Sequence, residues 1–301
     1  MCGIFCCFGF LTCIGCRDRV CRVLVFFPPP PGYHLDLEAR TFYLIGPDGS
    51  YYNPVHSDDF LLCSIVSKKR KIAAFFARVP TARFTILFSH GNATDIGYMR
   101  DHLLDFAHKL RVNIFAYDYS GYGESTGRPS VARLARDIQS AFKYMTEELQ
   151  IAPSSIILYG QSLGTSPTLE LASERQDIAG VILHSPLMSG MRVMRPVNKT
   201  HWFDILNNVD IICEVHAPIY IIHGCDDREV PVHHGATLYE KSQKKYEPWF
   251  VEGAGHNDIE IEQRSKFFEK VDEYLRFLEK GMDVKDKSRV VRLRKSPVKY
   301  F

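Results

Sequence analysis

Short apolar runs alternate with longer amphipathic stretches along the chain. Seven runs are apolar at nearly every position, which is typical of strands buried on both faces of a sheet. These predicted strands cover residues 71–77, 85–89, 113–117, 155–159, 179–184, 219–223 and 249–251. Stretches with helical spacing of apolar residues cover residues 97–110, 131–148, 163–173, 233–241 and 264–278. The alternation predicts an α/β fold, with a mostly parallel central sheet and helices on both of its faces.

A longer segment, residues 186–218, separates two of the predicted strands. Its length and its large apolar side chains predict a small cap segment over one edge of the sheet. The apolar side chains that we expect to border a ligand there are Met188, Met191, Met194, Trp202 and Phe203. Methionines pack flexibly around irregular chains, but a local core beneath a long loop explains the same residues equally well.

The two ends of the chain differ from its predicted folded body, which spans residues 40–280. Residues 1–27 form an apolar, cysteine-rich head, and a proline-rich spacer follows at residues 28–39. Residues 281–301 contain seven Lys or Arg and two Asp, which predicts a disordered basic tail. Of the 37 basic and 35 acidic residues, 30 and 33 remain in residues 1–280, a net charge of −3. This balance argues against a broad nucleic-acid surface.

Cysteine is concentrated in the head. Six of the nine cysteines lie in the first 21 residues: Cys2, Cys6, Cys7, Cys13, Cys16 and Cys21. Disulfides in such a cluster could not close long loops across the fold, so the body is typical of a cytosolic domain. Fatty acids attached to these cysteines, with Arg17, Arg19 and Arg22 near anionic headgroups, would give stable binding to a membrane surface. A zinc or redox site at Cys13 and Cys16 is a weaker alternative, because the sequence offers no second ligand pair.

Residues 160–164, Gly-Gln-Ser-Leu-Gly, form a G-x-S-x-G motif between a predicted strand and a predicted helix. In that context the turn holds its serine strained and exposed at the end of the strand, and the glycines avoid clashes. Ser162 is therefore the predicted nucleophile. Because a serine hydroxyl attacks poorly until a base takes its proton, the motif also requires a histidine and an acid.

The acid and the histidine are expected in that order, on loops after later strands. Among twelve histidines, His256 is the one that follows the last predicted strand. Asp226 and Asp227 follow the preceding strand, and the spacing to Val230 favours Asp227. Asp258 is a weaker third choice, since it suits the N-terminus of a helix better. The histidines at strand ends and helix starts are predicted to be core, surface or capping residues: His184, His223, His233 and His234.

An oxyanion hole needs two N–H donors that point at the negative charge formed in the reaction. One is expected from the backbone of Leu163, directly after the nucleophile. The other is expected from residues 90–93, His-Gly-Asn-Ala, where Asn92 is the candidate and Ala93 the alternative. Residues 121–125, Gly-Tyr-Gly-Glu-Ser, lack the third glycine and the acidic residue of a dinucleotide site. The sequence therefore predicts no cofactor and no metal.

Longer strings resemble the α/β-hydrolase domain-containing protein 17 family: FSHGNA, AYDYSGYGESTGRPS, SIILYGQSLGT, LHSPLMSGMRV, IIHG and VEGAGHNDIE. The resemblance covers residues 40–280, and the cysteine-rich head followed by prolines matches too. It implies an α/β-hydrolase fold and a membrane-attached serine hydrolase that removes palmitoyl groups from membrane-bound signalling proteins. It assigns Ser162 as nucleophile, Asp227 as acid and His256 as base.

The resemblance also implies that the head cysteines are S-acylated and direct the enzyme to the cytoplasmic face of the plasma membrane and endosomes. The apolar residues of the cap segment would then border the acyl chain. Two features depart from the family pattern. The acid loop is Cys-Asp-Asp-Arg-Glu at residues 225–229 instead of Thr-Glu-Asp-Glu, which leaves the acid position intact, and the basic tail is longer.

Two other functions fit the same residues. The motifs define the reaction class but not the leaving group, so a lipid esterase or monoacylglycerol lipase is one alternative. A non-catalytic scaffold on the same fold is the other. Loss of a triad residue would indicate a scaffold, and all three residues are present in the sequence.

Overall fold

A computed structural model describes residues 23–56, 58–195, 197 and 199–281 of the chain. The predictions for the head cysteines and for the basic tail from residue 282 onward lie outside these residues.

The strands form two sheets within the described ranges. Three antiparallel strands form the smaller sheet: β1 (Tyr33–Asp36), β2 (Thr41–Ile45) and β3 (Tyr51–Val55). The central sheet contains β4 (Phe60–Ser67), β5 (Arg70–Ala77), β6 (Thr85–Ser89), β7 (Asn113–Tyr117), β8 (Ile156–Gln161), β9 (Gly180–His184), β10 (Ile219–Gly224) and β11 (Trp249–Val251). Its strand order is β11-β10-β9-β8-β6-β7-β5-β4, and only the β4–β5 and β5–β7 pairs are antiparallel. The mostly parallel central sheet is therefore confirmed.

Helices pack on both faces of the central sheet. They are α1 (Ile96–Leu110), α2 (Val131–Lys143), α3 (Thr165–Glu174), α4 (Gly190–Met194), α5 (Asn208–Ile211), α6 (His233–Lys241), α7 (Ile259–Glu262) and α8 (Arg264–Gly281). Successive residues of a strand point to opposite faces, so the core divides into two clusters. Leu87 and Leu158 pack with residues of α2, α3 and α6, whereas Ile86 and Ile157 pack with residues of α1 and α8. Burial on both faces explains why these strands are continuously apolar.

The smaller sheet differs from the sequence-based prediction. Strand β1 lies inside the predicted spacer, so the folded region begins before residue 40. Tyr33 is fully buried, its ring stacks on Phe42 of β2 at 4.9 Å, and its hydroxyl donates to Asp118 Oδ2 at 2.6 Å. Asp118 is 85 residues away in sequence. A local pattern could not reveal such distant contacts, which are what hold this short strand in place.

Two predicted helices change form along their length. Helix α2 ends at Lys143 and continues as a π-helical turn, Tyr144–Glu148, and α3 is preceded by a 3₁₀ turn, Ser162–Gly164. The cap segment contains α4, α5 and another 3₁₀ turn, Ile212–Glu214. None of the helices in the described ranges combines the length and the apolar character that crossing a bilayer requires.

A largely buried acidic residue fixes α7 to the rest of the molecule. Glu260 Oε2 lies 2.9 Å from His102 Nε2 of α1, and Glu260 Oε1 lies 3.3 Å from His184 Nδ1 of β9. Tyr159 also donates to Glu260 Oε1, at 3.4 Å. Burial raises the pKa of Glu260, but the hydrogen bonds from His102 and His184 outweigh burial and hold that pKa well below its usual range. This network holds the helix that follows the loop carrying His256.

The low pKa of Glu260 predicts a stability that depends on pH. A carboxyl group with a lowered pKa stabilises the fold above its unfolded pKa of about 4.3, and this contribution is lost as pH falls through and below that value. We expect Glu260→Gln to lower the free energy of unfolding at pH 7 by about 1–3 kcal/mol, because it weakens buried hydrogen bonds. The difference from the parent protein should narrow at pH 3, as urea unfolding at both pH values would measure.

The matched control for this variant is Glu262→Gln, on the exposed side of the same short helix. It should change the free energy of unfolding little at either pH. An equal loss for Glu260→Gln at pH 7 and pH 3 would show that the carboxylate charge does not stabilise this contact.

Candidate active site

The end of β8 turns sharply into α3 at the predicted nucleophile. Ser162 has φ +50°, a left-handed conformation that non-glycine residues adopt only under strain. The two glycines of the motif permit close packing around this turn. A Cβ at Gly160 would lie 2.5 Å from the carbonyl oxygen of Gly164, and a Cβ at Gly164 would overlap with the carbonyl oxygen of Ser89. The strand–turn–helix context expected for a nucleophile elbow is therefore present around Ser162.

The loop after β11 brings His256 to the serine. His256 Nε2 lies 3.0 Å from Ser162 Oγ, and His256 Nδ1 lies 2.6 Å from Asp227 Oδ2. Because a carboxylate only accepts hydrogen bonds, these contacts assign the proton to Nδ1, which leaves Nε2 free to accept from the serine hydroxyl. The three residues predicted from the sequence thus lie together in the order that general-base activation of a serine requires.

Both oxygens of the buried Asp227 carboxylate are held by hydrogen-bond contacts. Its Oδ1 accepts from the backbone N–H groups of Glu229 at 2.9 Å and Val230 at 2.8 Å. Its Oδ2 faces His223 Nε2 at 3.2 Å in addition to His256. Burial raises the pKa of Asp227, but the hydrogen bonds from His223 and His256 outweigh it and hold that pKa well below its usual range. Asp227 is therefore ionised at neutral pH.

The other two candidate acids point elsewhere. Asp226 is exposed, and its backbone N–H donates to Ala254 at 2.9 Å. Asp258 lies at the N-terminus of α7, as expected, and its Oδ1 accepts from the N–H of Gly255 at 2.7 Å. Asp258 therefore braces the loop next to His256. It is Asp227 whose carboxylate contacts the imidazole.

Two histidines differ from the sequence-based prediction in their surroundings. His234 is completely buried rather than at the surface, and its Nδ1 accepts from the N–H of Met188 at 3.0 Å. Burial and the neighbouring His233 lower the pKa of His234 to about 4, so it is neutral at physiological pH. His223 is buried as predicted, but its contact with Asp227 was not expected. The sequence signal for it is its position four residues before the acid, at the end of the preceding strand.

The loop after β6 runs beside the nucleophile. A Cβ at Gly91 would lie 3.8 Å from Ser162 Cβ, so the backbone passes close to the serine. The Ala93 N–H donates to Asn92 Oδ1 at 3.1 Å, whereas no acceptor for the Asn92 N–H occurs among the described residues. The N–H of Leu163 belongs to the first turn after Ser162, where N–H groups have no partner within a helix. Asn92 and Leu163 remain the predicted oxyanion donors.

The residues of the predicted acyl-chain pocket are not all in the same environment. Met188, Met191 and Phe203 are buried, whereas Met194 and Trp202 are 67% and 66% exposed. A cavity of about 180 Å³ lies nearby, between α2, α3 and the cap segment. Its lining residues are Val131, Leu134, Ser166, Pro167, Glu170, Asp204, Ile205, Leu206, Asn207, Asn208 and Ile211. None of the five predicted residues lines it, so the acyl-chain pocket stays a prediction.

Among the described residues, no group of three or more His, Cys, Asp or Glu side chains is placed to hold a metal ion. The predicted alternative at Cys13 and Cys16 lies outside these ranges.

Sequence comparisons identify similar proteins over most of the chain. Human alpha/beta hydrolase domain-containing protein 17B is 40% identical over 268 residues, which cover 87% of this chain and 91% of that protein. Alpha/beta hydrolase domain-containing protein aho-3 of Caenorhabditis elegans is 40% identical over 265 residues, with 87% and 78% covered. The Hydrolase_4 family model, described as serine aminopeptidase, S33, matches residues 80–209.

Solved structures share the fold at low sequence identity. The esterase Pf2001 of Pyrococcus furiosus has a TM-score of 0.61 and 18% identity, over 72% of this chain and 91% of that one. Est1E of Butyrivibrio proteoclasticus, solved with ferulic acid, has a TM-score of 0.59 and 16% identity, with 71% and 97% covered. These likenesses confirm the predicted fold class.

Asp226 and Asp227 lie in different environments, so we expect their replacement to affect ester hydrolysis differently. Asp227→Asn should lower kcat by about 10⁴-fold, because an amide favours the wrong histidine tautomer. Asp226→Asn is the matched control and should change kcat less than about twofold. The initial rates of p-nitrophenyl butyrate hydrolysis by both purified variants would measure this. Inactive Asp226→Asn together with active Asp227→Asn would contradict the assignment of the acid.

Proposed function

The chain belongs to the alpha/beta hydrolase domain-containing protein 17 family and is a hydrolase, and from this premise we propose that it cleaves the thioester of S-palmitoylated, membrane-associated proteins. The observation that carries the proposal is the contact of His256 with both Ser162, at 3.0 Å, and Asp227, at 2.6 Å. Such an arrangement activates a serine for attack on an acyl carbonyl.

The first half of the proposed reaction acylates the enzyme. Ser162 Oγ attacks the thioester carbonyl carbon while His256 Nε2 takes the hydroxyl proton, and Asp227 stabilises the resulting imidazolium. The backbone N–H groups of Asn92 and Leu163 stabilise the negative charge on the carbonyl oxygen. The C–S bond then breaks, and the imidazolium protonates the leaving cysteine thiolate. The products are a palmitoyl ester on Ser162 and a free cysteine thiol on the substrate protein.

The second half releases the fatty acid. Water replaces the departed thiol, and His256 takes a proton from it as it attacks the ester carbonyl. When the tetrahedral intermediate collapses, His256 returns that proton to Ser162 Oγ and palmitic acid leaves. No cofactor is needed, because the same imidazole serves as base and acid in both halves.

The proposal that the substrate lies on a membrane rests on the cysteine-rich head. S-acylated cysteines in residues 1–21 would anchor the enzyme to the cytoplasmic face of the plasma membrane and endosomes, where other acylated proteins are attached. Two lipid signals are generally needed for stable anchoring, and the head offers six cysteines. The proposed partners are therefore the membrane surface and the S-palmitoylated signalling proteins on it.

The proposal predicts a preference among acyl substrates. We expect wild-type enzyme to hydrolyse a palmitoylated cysteine peptide with a kcat/KM at least about tenfold above that for monoacylglycerol. Ser162→Ala should abolish turnover, with a loss of about 10⁴-fold or more. Ser173→Ala, near the C-terminal end of α3, is the matched control. Release of free thiol and of fatty acid would be quantified for each variant.

The alternatives give distinct results in this assay. A faster reaction with monoacylglycerol than with the peptide would support the lipid esterase. Absence of any Ser162-dependent turnover on either substrate would support the non-catalytic scaffold.

The anchoring proposal predicts a change of location that leaves the chemistry intact. Replacement of all six head cysteines with serine should move the protein from membranes to the cytosol, because the acyl chains are lost. The purified variant should still cleave a soluble thioester. Cys213→Ser, at an exposed cysteine of the body, is the control and should stay on membranes. Fractionation before and after hydroxylamine treatment measures the location, and membrane retention of the six-serine variant would contradict S-acyl anchoring.

A further inference from the structure

The side chain of Asn92 connects the loop beside the nucleophile to the N-terminal segment. Its Oδ1 accepts from the N–H of Phe27 at 3.0 Å, from the hydroxyl of Tyr122 at 2.7 Å and from the N–H of Ala93 at 3.1 Å. Its Nδ2 donates to the carbonyl oxygen of Val25 at 2.7 Å. Phe27 and Val25 are 65 and 67 residues away in sequence. The amide therefore bridges two distant segments and is held by both of them.

Residues 25–27 are fixed by packing as well as by these hydrogen bonds. The Phe26 side chain is only 4% exposed and belongs to the hydrophobic cluster that contains Tyr122 and Leu163. The Phe27 ring, in contrast, is 54% exposed, so its backbone N–H is the part of that residue that contacts Asn92. Burial raises the pKa of Tyr122, which keeps its hydroxyl protonated as a donor. The segment thus contacts Asn92 directly and shares a hydrophobic cluster with Leu163.

The other end of the loop is held by a separate set of contacts. His90 Nε2 lies 3.0 Å from Asp118 Oδ1, and the His90 carbonyl oxygen accepts from Tyr119 at 2.6 Å. Between His90 and Asn92 lies Gly91, which passes next to Ser162 and whose carbonyl oxygen lies 2.7 Å from His90 Nδ1. The side chain of Asn92 is therefore the second point at which this loop is held.

We propose that residues 25–27 complete the oxyanion hole by positioning Asn92. The Asn92 side chain acts as a positioning group, while its backbone N–H is the proposed donor to the oxyanion. The inference rests on the proposed function, because it takes Ser162 as the nucleophile. It adds that the last three residues of the cysteine-rich head control the rate of the chemical step. Membrane attachment and catalysis then share one structural element.

The test removes one backbone hydrogen. Phe27→Pro and Phe27→Ala both lose the exposed ring, but only the proline variant loses the N–H that donates to Asn92. Since loss of an oxyanion donor lowers kcat by about 10²–10³-fold, displacement of one should lower kcat of Phe27→Pro about 10- to 100-fold relative to Phe27→Ala. KM for p-nitrophenyl butyrate should differ less than about twofold between the two variants. Equal kcat values for the folded variants would overturn the proposal.

A double-mutant cycle tests whether the effect passes through Asn92. In the background of Asn92→Ala, Phe27→Pro should lower kcat less than about twofold further, because the contact is already absent. The same loss in both backgrounds would overturn the proposal. If Phe27→Pro fails to fold, Tyr122→Phe decides in its place, since it removes one hydroxyl and keeps the ring. It should lower kcat about three- to tenfold at unchanged KM, and an unchanged kcat would overturn the proposal.

Labelling by a fluorophosphonate probe tests the positioning role of residues 25–27 independently of the proposed thioester substrate. The rate constant for labelling by a fluorophosphonate depends on the same nucleophile and oxyanion donors but on no thioester. We expect it to fall in parallel with kcat in Phe27→Pro. If wild-type enzyme does not hydrolyse the palmitoylated peptide while the two Phe27 variants still differ in labelling rate, the substrate proposal fails and the positioning role stands. Equal labelling rates would overturn the positioning role whatever the substrate.

Discussion

The hydrogen bond between His256 Nδ1 and Asp227 Oδ2 joins the loops that follow β10 and β11, and the chemistry of the site depends on it. It orients the imidazole, assigns its proton and directs Nε2 to Ser162. The bond is strong because Asp227 is buried yet held as an anion by two N–H groups and by His223. Without these donors a buried carboxylate would take up a proton, and the histidine would lose its partner.

The fold supplies this arrangement by ending three parallel strands at one edge. Strand β8 leads into Ser162, β10 into Asp227 and β11 into the loop of His256. Close backbone packing makes the convergence possible, because a side chain at Gly224 would overlap with the carbonyl of Gly255 in the histidine loop. Beyond that loop, α7 is held by the contacts of Glu260 with His102 and His184. Elements on both faces of the sheet thus determine where the reactive atoms lie.

The sequence predicts the central sheet and the convergence of Ser162, Asp227 and His256 because both rest on local signals. Continuous apolar runs indicate buried strands, and the order of the three residues follows from the strands they terminate. The sequence does not predict the smaller sheet. Nor does it predict the contacts of Asn92 with residues 25–27, which join positions about 65 residues apart. The burial of His234 was missed for the same reason: its partner, Met188, lies in the cap segment. Contacts between distant segments leave no periodic pattern in the chain.

The identity of the nucleophile can be measured directly by allowing a fluorophosphonate probe to react with the intact protein and mapping the adduct by mass spectrometry. The proposed mechanism predicts one adduct, on Ser162, whose formation slows when His256 is replaced with alanine, because the imidazole no longer accepts the hydroxyl proton. An adduct on a different serine, or labelling of Ser162 at the same rate in the presence and absence of His256, would contradict the assignment of this site as a serine hydrolase centre.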